Sequence, residues 1–195
     1  MIPRHVQIAL ALLLVIIFAL GFYALRLKKR MEISVQTSDS RPVAPPVSGP
    51  PEKIKLFIAY DDEGVVRARE VTVGLPPGGG DRAREVLRAL LAEYARKPSP
   101  HPIAPAADVH EVFLLRDGTA IIDTNAAFAD AHPSGILDEE LTLASMIETL
   151  SQNVSGVARV KFVVDGKERE TLAGHIDLGR YYDVAQVHDL VRAMQ

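Results

Sequence analysis

Two Asp-Gly turns bracket the part of this chain that has least freedom in how it folds. Val109–Leu115 and Ala120–Asp123 are apolar runs joined by Arg116-Asp117-Gly118-Thr119, and Asp-Gly between such runs is the strongest short-range hairpin signal. From Asp138 to about Asn153 the apolar residues recur at helical spacing, and Leu143, Met146, Ile147, Leu150 and Val154 make one stripe. Val160–Val164 follows as a strand that ends on Asp165-Gly166, and Thr171–Asp177 closes the stretch. A hairpin, a helix and a return strand can bury one sheet face under one helix, the core of a small α+β domain.

Upstream the same order recurs. Ile54–Tyr60 and Val65–Val73 flank the acidic turn Asp61-Asp62-Glu63-Gly64, which predicts a first hairpin. Asp81 is the expected cap of a helix whose stripe is Ala83, Val86, Leu87, Leu90, Leu91 and Tyr94. Pro98, Pro100, Pro102 and Pro105 then stop it and predict an irregular connection. Asp138 is the expected cap of the second helix, with Glu139 and Glu140 in the first turn, where the macrodipole favours negative charge. Val184, Val187, Leu190, Val191 and Met194 predict a closing helix over Tyr181–Gln195. The expected fold is α+β: a small sheet with two packed helices, in the order β-β-α-β-β-α-β. Exposed edge strands on such a sheet would supply a docking surface.

The N-terminus reads differently. Val6–Leu25 is an uncharged run of 20 residues, and roughly 20 apolar residues span a bilayer core of about 30 Å. A cleaved signal peptide has a shorter apolar region, so the run predicts a retained single span. Arg26, Lys28, Lys29 and Arg30 follow it, and by the positive-inside bias they favour a cytoplasmic head. Met31–Pro51, with Pro42, Pro45, Pro46, Pro50 and Pro51, predicts an extended tether. The expected division is an anchor over 1–30, a linker over 31–52, a head domain over 53–180 and a C-terminal helix over 181–195. Residues 1–52 carry a net charge of +3 and residues 53–195 one of −6. An acidic head lacks the basic footprint of a nucleic-acid binder. With no cysteine in the chain, disulfides and thiolate metal sites are excluded.

Few residues suggest chemistry. Gly78-Gly79-Gly80 lies between a strand and a helix start, but Asp81-Arg82 follows where a phosphate loop needs Lys-Ser/Thr; a flexible connector is the simpler reading. His175-Ile176-Asp177 would put an imidazole and a carboxylate on one face of a strand, as in a metal site or proton relay. His101, His110, His132 and His188 are scattered and supply no second ligand pair, which favours a structural role. Asp123 with Asn125, and Asp130 with His132, read as turn residues rather than a calcium loop. Ser134 and Ser145 lack a nucleophile elbow. Asn153-Val154-Ser155 matches a glycosylation sequon. The expectation is no catalytic, cofactor-binding or metal residue, hence no cofactor and no enzyme.

Several stretches together resemble the GerMN domain, the sporulation and spore-germination domain. They are Ile54–Tyr60, the helix Arg84–Tyr94, Asp117–Asp123, Glu148-Thr149-Leu150, Val160–Gly166 and Glu170–Leu178, covering about residues 53–180. The resemblance implies a small α/β domain similar to the ring-building motifs of envelope machines, held outside the bacterial cytoplasmic membrane and acting through protein contacts. It carries over no catalytic or metal residue. It also opposes the charge count after the span, and we follow it, because the charge rule weakens where a whole domain follows. Two features depart from the family pattern: one copy rather than a tandem pair, and no lipidated cysteine. The expected function is a membrane-anchored, non-enzymatic envelope protein for protein–protein assembly. The alternatives are a module binding an envelope ligand, such as a peptidoglycan fragment or small anion, and a hydrolase.

Overall fold

Strands β1 (Pro51–Tyr60) and β2 (Val65–Gly74) pair antiparallel, from Pro51 opposite Gly74 to Tyr60 opposite Val65. The computed structural model describes residues 44–194, so the expected span, its basic flank and the tether up to residue 43 lie outside the described residues. The hairpin does not join a common sheet; it is a two-stranded sheet of its own. The reason lies at the free edge of β1. The amides of Lys55, Phe57 and Ala59 donate to Asn153 Oδ1 (3.1 Å), Thr149 Oγ1 (2.9 Å) and Tyr94 Oη (3.0 Å). Asn153 and Thr149 belong to helix α3 (Ile136–Asn153) and Tyr94 to helix α1 (Gly79–Ala95). Two helices therefore stand where a third strand would pair, and this edge is closed to strand addition.

Both long helices start earlier than the expected caps. α1 opens on Gly78 and α3 on Gly135, neither with a side-chain cap, which leaves Asp81 and Asp138 in the first turns. The three glycines at the start of α1 are fitted rather than flexible. Gly78 and Gly79 have φ of 74° and 71°, a region that disfavours a Cβ. A Cβ on Gly80 would lie 2.3 Å from the carbonyl oxygen of Val112, so α1 begins hard against strand β3 (Val109–Leu114).

The second sheet runs β3, β4 (Thr119–Thr124), β5 (Arg159–Val164), β6 (Tyr182–Asp183). β3 and β4 are the expected Asp-Gly hairpin, β5 returns parallel to β4, and β6 pairs antiparallel with β5. The parallel crossover passes through α3 and a short helix, α2 (Ala126–Asp130). The pattern did not predict α2, which is five residues long and capped by Asn125 Oδ1 accepting from Phe128 N. The expected tail helix also loses its first turn. Tyr182–Asp183 becomes strand, and Asp183 caps α4 (Val184–Ala193) by accepting from Ala185 and Gln186 amides.

One face of the four-stranded sheet is buried except at Leu114, which stands opposite Ala120 and is 36% exposed. Val112, Ala120, Ile122, Val160 and Phe162 join the stripes of α1 and α3 and the apolar residues of β1 in one core.

Candidate functional site

Helix α3 carries a series of buried polar side chains, and each fastens a different irregular segment. Thr142 Oγ1 donates to the Asp138 carbonyl (2.9 Å) and lies 2.6 Å from His101 Nε2 and 2.7 Å from His132 Nε2. The other ring nitrogen of His101 meets Asp61, and that of His132 donates to the Pro133 carbonyl (2.7 Å). Burial pushes the His132 imidazole below its ordinary value. The order Asp61–His101–Thr142 imitates an acid–base–nucleophile chain. However, Thr142 is 0% and His101 1% exposed, so no substrate carbon can approach the hydroxyl. The cluster is a clasp that ties the first hairpin turn and the proline-rich connection to α3. One turn further on, Tyr94 Oη donates to Ser145 Oγ (2.8 Å), and burial pushes the Tyr94 phenol up.

The irregular segment 165–181, here called the strap, is held by two buried charges of opposite sign. Glu139, fully buried in the first turn of α3, accepts from the amides of His175 (3.1 Å) and Ile176 (2.8 Å) and from His175 Nδ1 (2.8 Å). Burial pushes the Glu139 carboxyl up, but the hydrogen bonds from Ile176, the His175 ring and the strap backbone outweigh it and hold the group at about 2. Lys161, on β5, donates to the carbonyls of Leu178 (3.0 Å) and Gly179 (2.6 Å). The Tyr182 hydroxyl donates to the Asp177 carbonyl. The strap opens on a tight turn in which Asp165 and Gly166 both have positive φ, as the Asp-Gly signal demands.

So fastened, the strap forms one wall of a groove between α3 and α4 of about 280 Å³. Leu143, Ala144, Ile147, Val187 and Leu190 make its floor and Ile176 its wall. Glu140, Arg180, Asp183 and Gln186 stand at the rim. The guanidinium carbon of Arg180 lies 4.6 Å from the Tyr182 ring centroid.

The second surface is the other face of the four-stranded sheet. Register places Phe113 beside Ile121 and Ile121 beside Lys161. Tyr181 follows Lys161 in the row, with Lys161 Nζ 5.8 Å from its ring centroid. Phe113 is 45% exposed, Leu115, just past the end of β3, 48%, and Tyr181 57%. Large apolar side chains this exposed on one face are unexpected unless something covers them. The β1 edge is closed by side chains of α3 and α1, and this face stands beside the remaining edge strands as a docking surface.

The residues singled out by sequence are dispersed. His175 and Asp177 do not converge: the ring of His175 binds Glu139, and Asp177 Oδ1 accepts from Gly179 N (2.6 Å) in a turn. Asn125 caps α2, Asp123 accepts from Gly166 N (2.7 Å), and Asp130 pairs with Arg169 at 2.5 Å. The Ser134 hydroxyl donates to Ala173 O (3.2 Å). The amide nitrogen of Asn153 donates to Lys55 O (2.8 Å) and Thr149 O (2.7 Å), so the sequon asparagine is committed to the fold. His110 meets Asp165 (3.0 Å) and His188 meets Glu148 (2.8 Å). Among the described residues no three His, Asp or Glu side chains group as metal ligands. Sequence reasoning missed Glu139 and Lys161, because an acid in a first helical turn and a lysine in a strand both look solvent-facing until the strap arrives.

The family model described as sporulation and spore germination matches residues 55–170. The tandem GerMN domains of the sporulation protein GerM from Bacillus subtilis are 21% identical with a TM-score of 0.51, over 69% of this chain and 46% of that one. The chain thus spans about half the length of that tandem structure. The first GerMN domain of the same protein is 20% identical, TM-score 0.44, over 66% of this chain and 94% of that one. A putative lipoprotein from Clostridium perfringens is 16% identical, TM-score 0.41, over 72% of this chain and 92% of that one. No curated protein matches.

Proposed function

The chain belongs to the sporulation and spore germination family, and we propose that it is a non-enzymatic, membrane-anchored envelope protein that presents one GerMN-like domain to a protein partner. The apolar run Val6–Leu25 supports the anchor, and the polar residues that follow it support a tether up to Ala44; from there to Pro51 the expected linker lies on the head, Ala44 O accepting from Arg88 (3.0 Å) and Pro50 O from Leu75 N (3.1 Å). The head lies outside the cytoplasmic membrane of a bacterium.

One observation carries the docking role: the bare sheet face with Phe113, Leu115, Ile121 and Tyr181. Its occupant is a folded envelope protein with a matching apolar surface, since interfaces centre on aromatic and branched apolar side chains. A photocrosslinking residue placed at Phe113 or Leu115 in cells should give a discrete adduct that the same residue at Glu70, exposed on β2, does not. Monomeric, uncrosslinked protein from every position would overturn the reading. A topology reporter fused after Gln195 should be active outside the membrane; activity in the cytoplasm would overturn the orientation. A second reading, a module for an envelope ligand, is favoured by the strap-walled groove.

A further inference from the structure

The groove between α3 and α4 deepens that second reading; it shares Tyr181 with the sheet face, whereas Phe113 and Leu115 lie outside its lining and test the face apart from it. We infer that it binds a short peptide with free ends of both charges, whose apolar side chains lie on the floor while its ammonium and carboxylate meet Glu140 and Arg180.

Three observations converge. First, the floor is wholly apolar, and an opening of about 280 Å³ exceeds what close-packed interiors leave vacant. A cavity of about 150 Å³ takes a benzene ring, so the groove has room for two branched side chains. Second, the rim carries unspent charge of both signs. Asp183 is occupied in capping α4. Among the described residues, Glu140 and Arg180 each lack an ion-pair partner, although both stand on the same rim. Arg180 lies over the Tyr182 ring and hydrogen-bonds its hydroxyl, and the remaining N–H groups of its five-donor fork face a carboxylate. One guanidinium beside an acid suits a carboxylate in a zwitterion and not a phosphate, which draws several cations. Third, the wall is preformed: Glu139 and Lys161, both buried, hold the strap on either side of Ile176. A site fixed before binding loses little freedom on capture.

The test uses the full-length chain in lipid nanodiscs with labelled methyl groups. Leu-Leu dipeptide should shift the methyls of Leu143, Ile147, Ile176, Val187 and Leu190. Each end that is capped, by N-acetylation or C-amidation, should weaken binding about fivefold, the worth of one partly exposed ion pair. Arg180→Gln, at an exposed position, should weaken Leu-Leu similarly yet leave the C-amide's affinity unchanged. Absent shifts, equal binding of the doubly capped peptide, or a loss for Arg180→Gln that is the same with and without the carboxylate would each overturn the inference. None of these results bears on crosslinking from Phe113.

Discussion

The two faces of the four-stranded sheet are written by alternate residues of the same strands, yet they are unlike. On one, Val112, Ile122 and Phe162 lie side by side at 2% exposure or less. On the other, Phe113, Ile121, Lys161 and Tyr181 form the neighbouring row, and among the described residues no element covers its Phe113 end. The strap reaches only the Lys161 end, through the Leu178 and Gly179 carbonyls. Hydrophobicity does not separate the faces, since both rows are mostly apolar. Cover does. An apolar row that the fold leaves bare has its use outside the chain.

The contrast can be broken at several points. Phe162→Ala on the covered face should lower unfolding free energy by about 3–5 kcal/mol in urea denaturation; a cost below about 1 kcal/mol would mean that this face is not the core. Acid tests the strap. The Glu139 carboxyl is held at about 2 against an ordinary 4.5, so the fold favours its charged form. That contribution is complete above the unfolded value and is lost as pH falls from about 4.5 toward 2. It is worth about 3 kcal/mol, readable from urea midpoints between pH 6 and 2.5, and Glu139→Gln should flatten this part of the profile. Asp183→Ala removes the cap of α4 and should cost about 1 kcal/mol, with faster amide exchange confined to that helix. Phe113→Ser on the bare face should change stability by no more than about 0.5 kcal/mol, while abolishing the adduct formed from Leu115.

Much of the frame was legible. The Asp-Gly turn at Asp117-Gly118 fixed the β3–β4 hairpin, and the stripe Leu143, Met146, Ile147, Leu150 fixed α3, because turn chemistry and periodicity are local. What failed was decided by distant segments. Nothing near Lys55 says that Asn153 and Thr149 will take the edge of β1, so the hairpin looked like part of one sheet. Asn125 looked like a turn residue because a five-residue helix has no periodicity to read. His175 and Asp177 looked paired on a strand, but they sit on an irregular strap whose course is set by Glu139, 36 residues earlier. The groove was illegible for the same reason: its walls are 140–147, 176–183 and 186–190, adjacent only after folding.

The claim that the bare sheet face meets a protein partner is tested most directly by side-chain footprinting of Phe113, Leu115 and Tyr181 in intact cells and in the purified full-length chain. The account predicts strong labelling of all three in the purified protein and protection of all three in cells, with Glu70 on β2 labelled alike in both. Equal labelling of the three in cells and in isolation would contradict it.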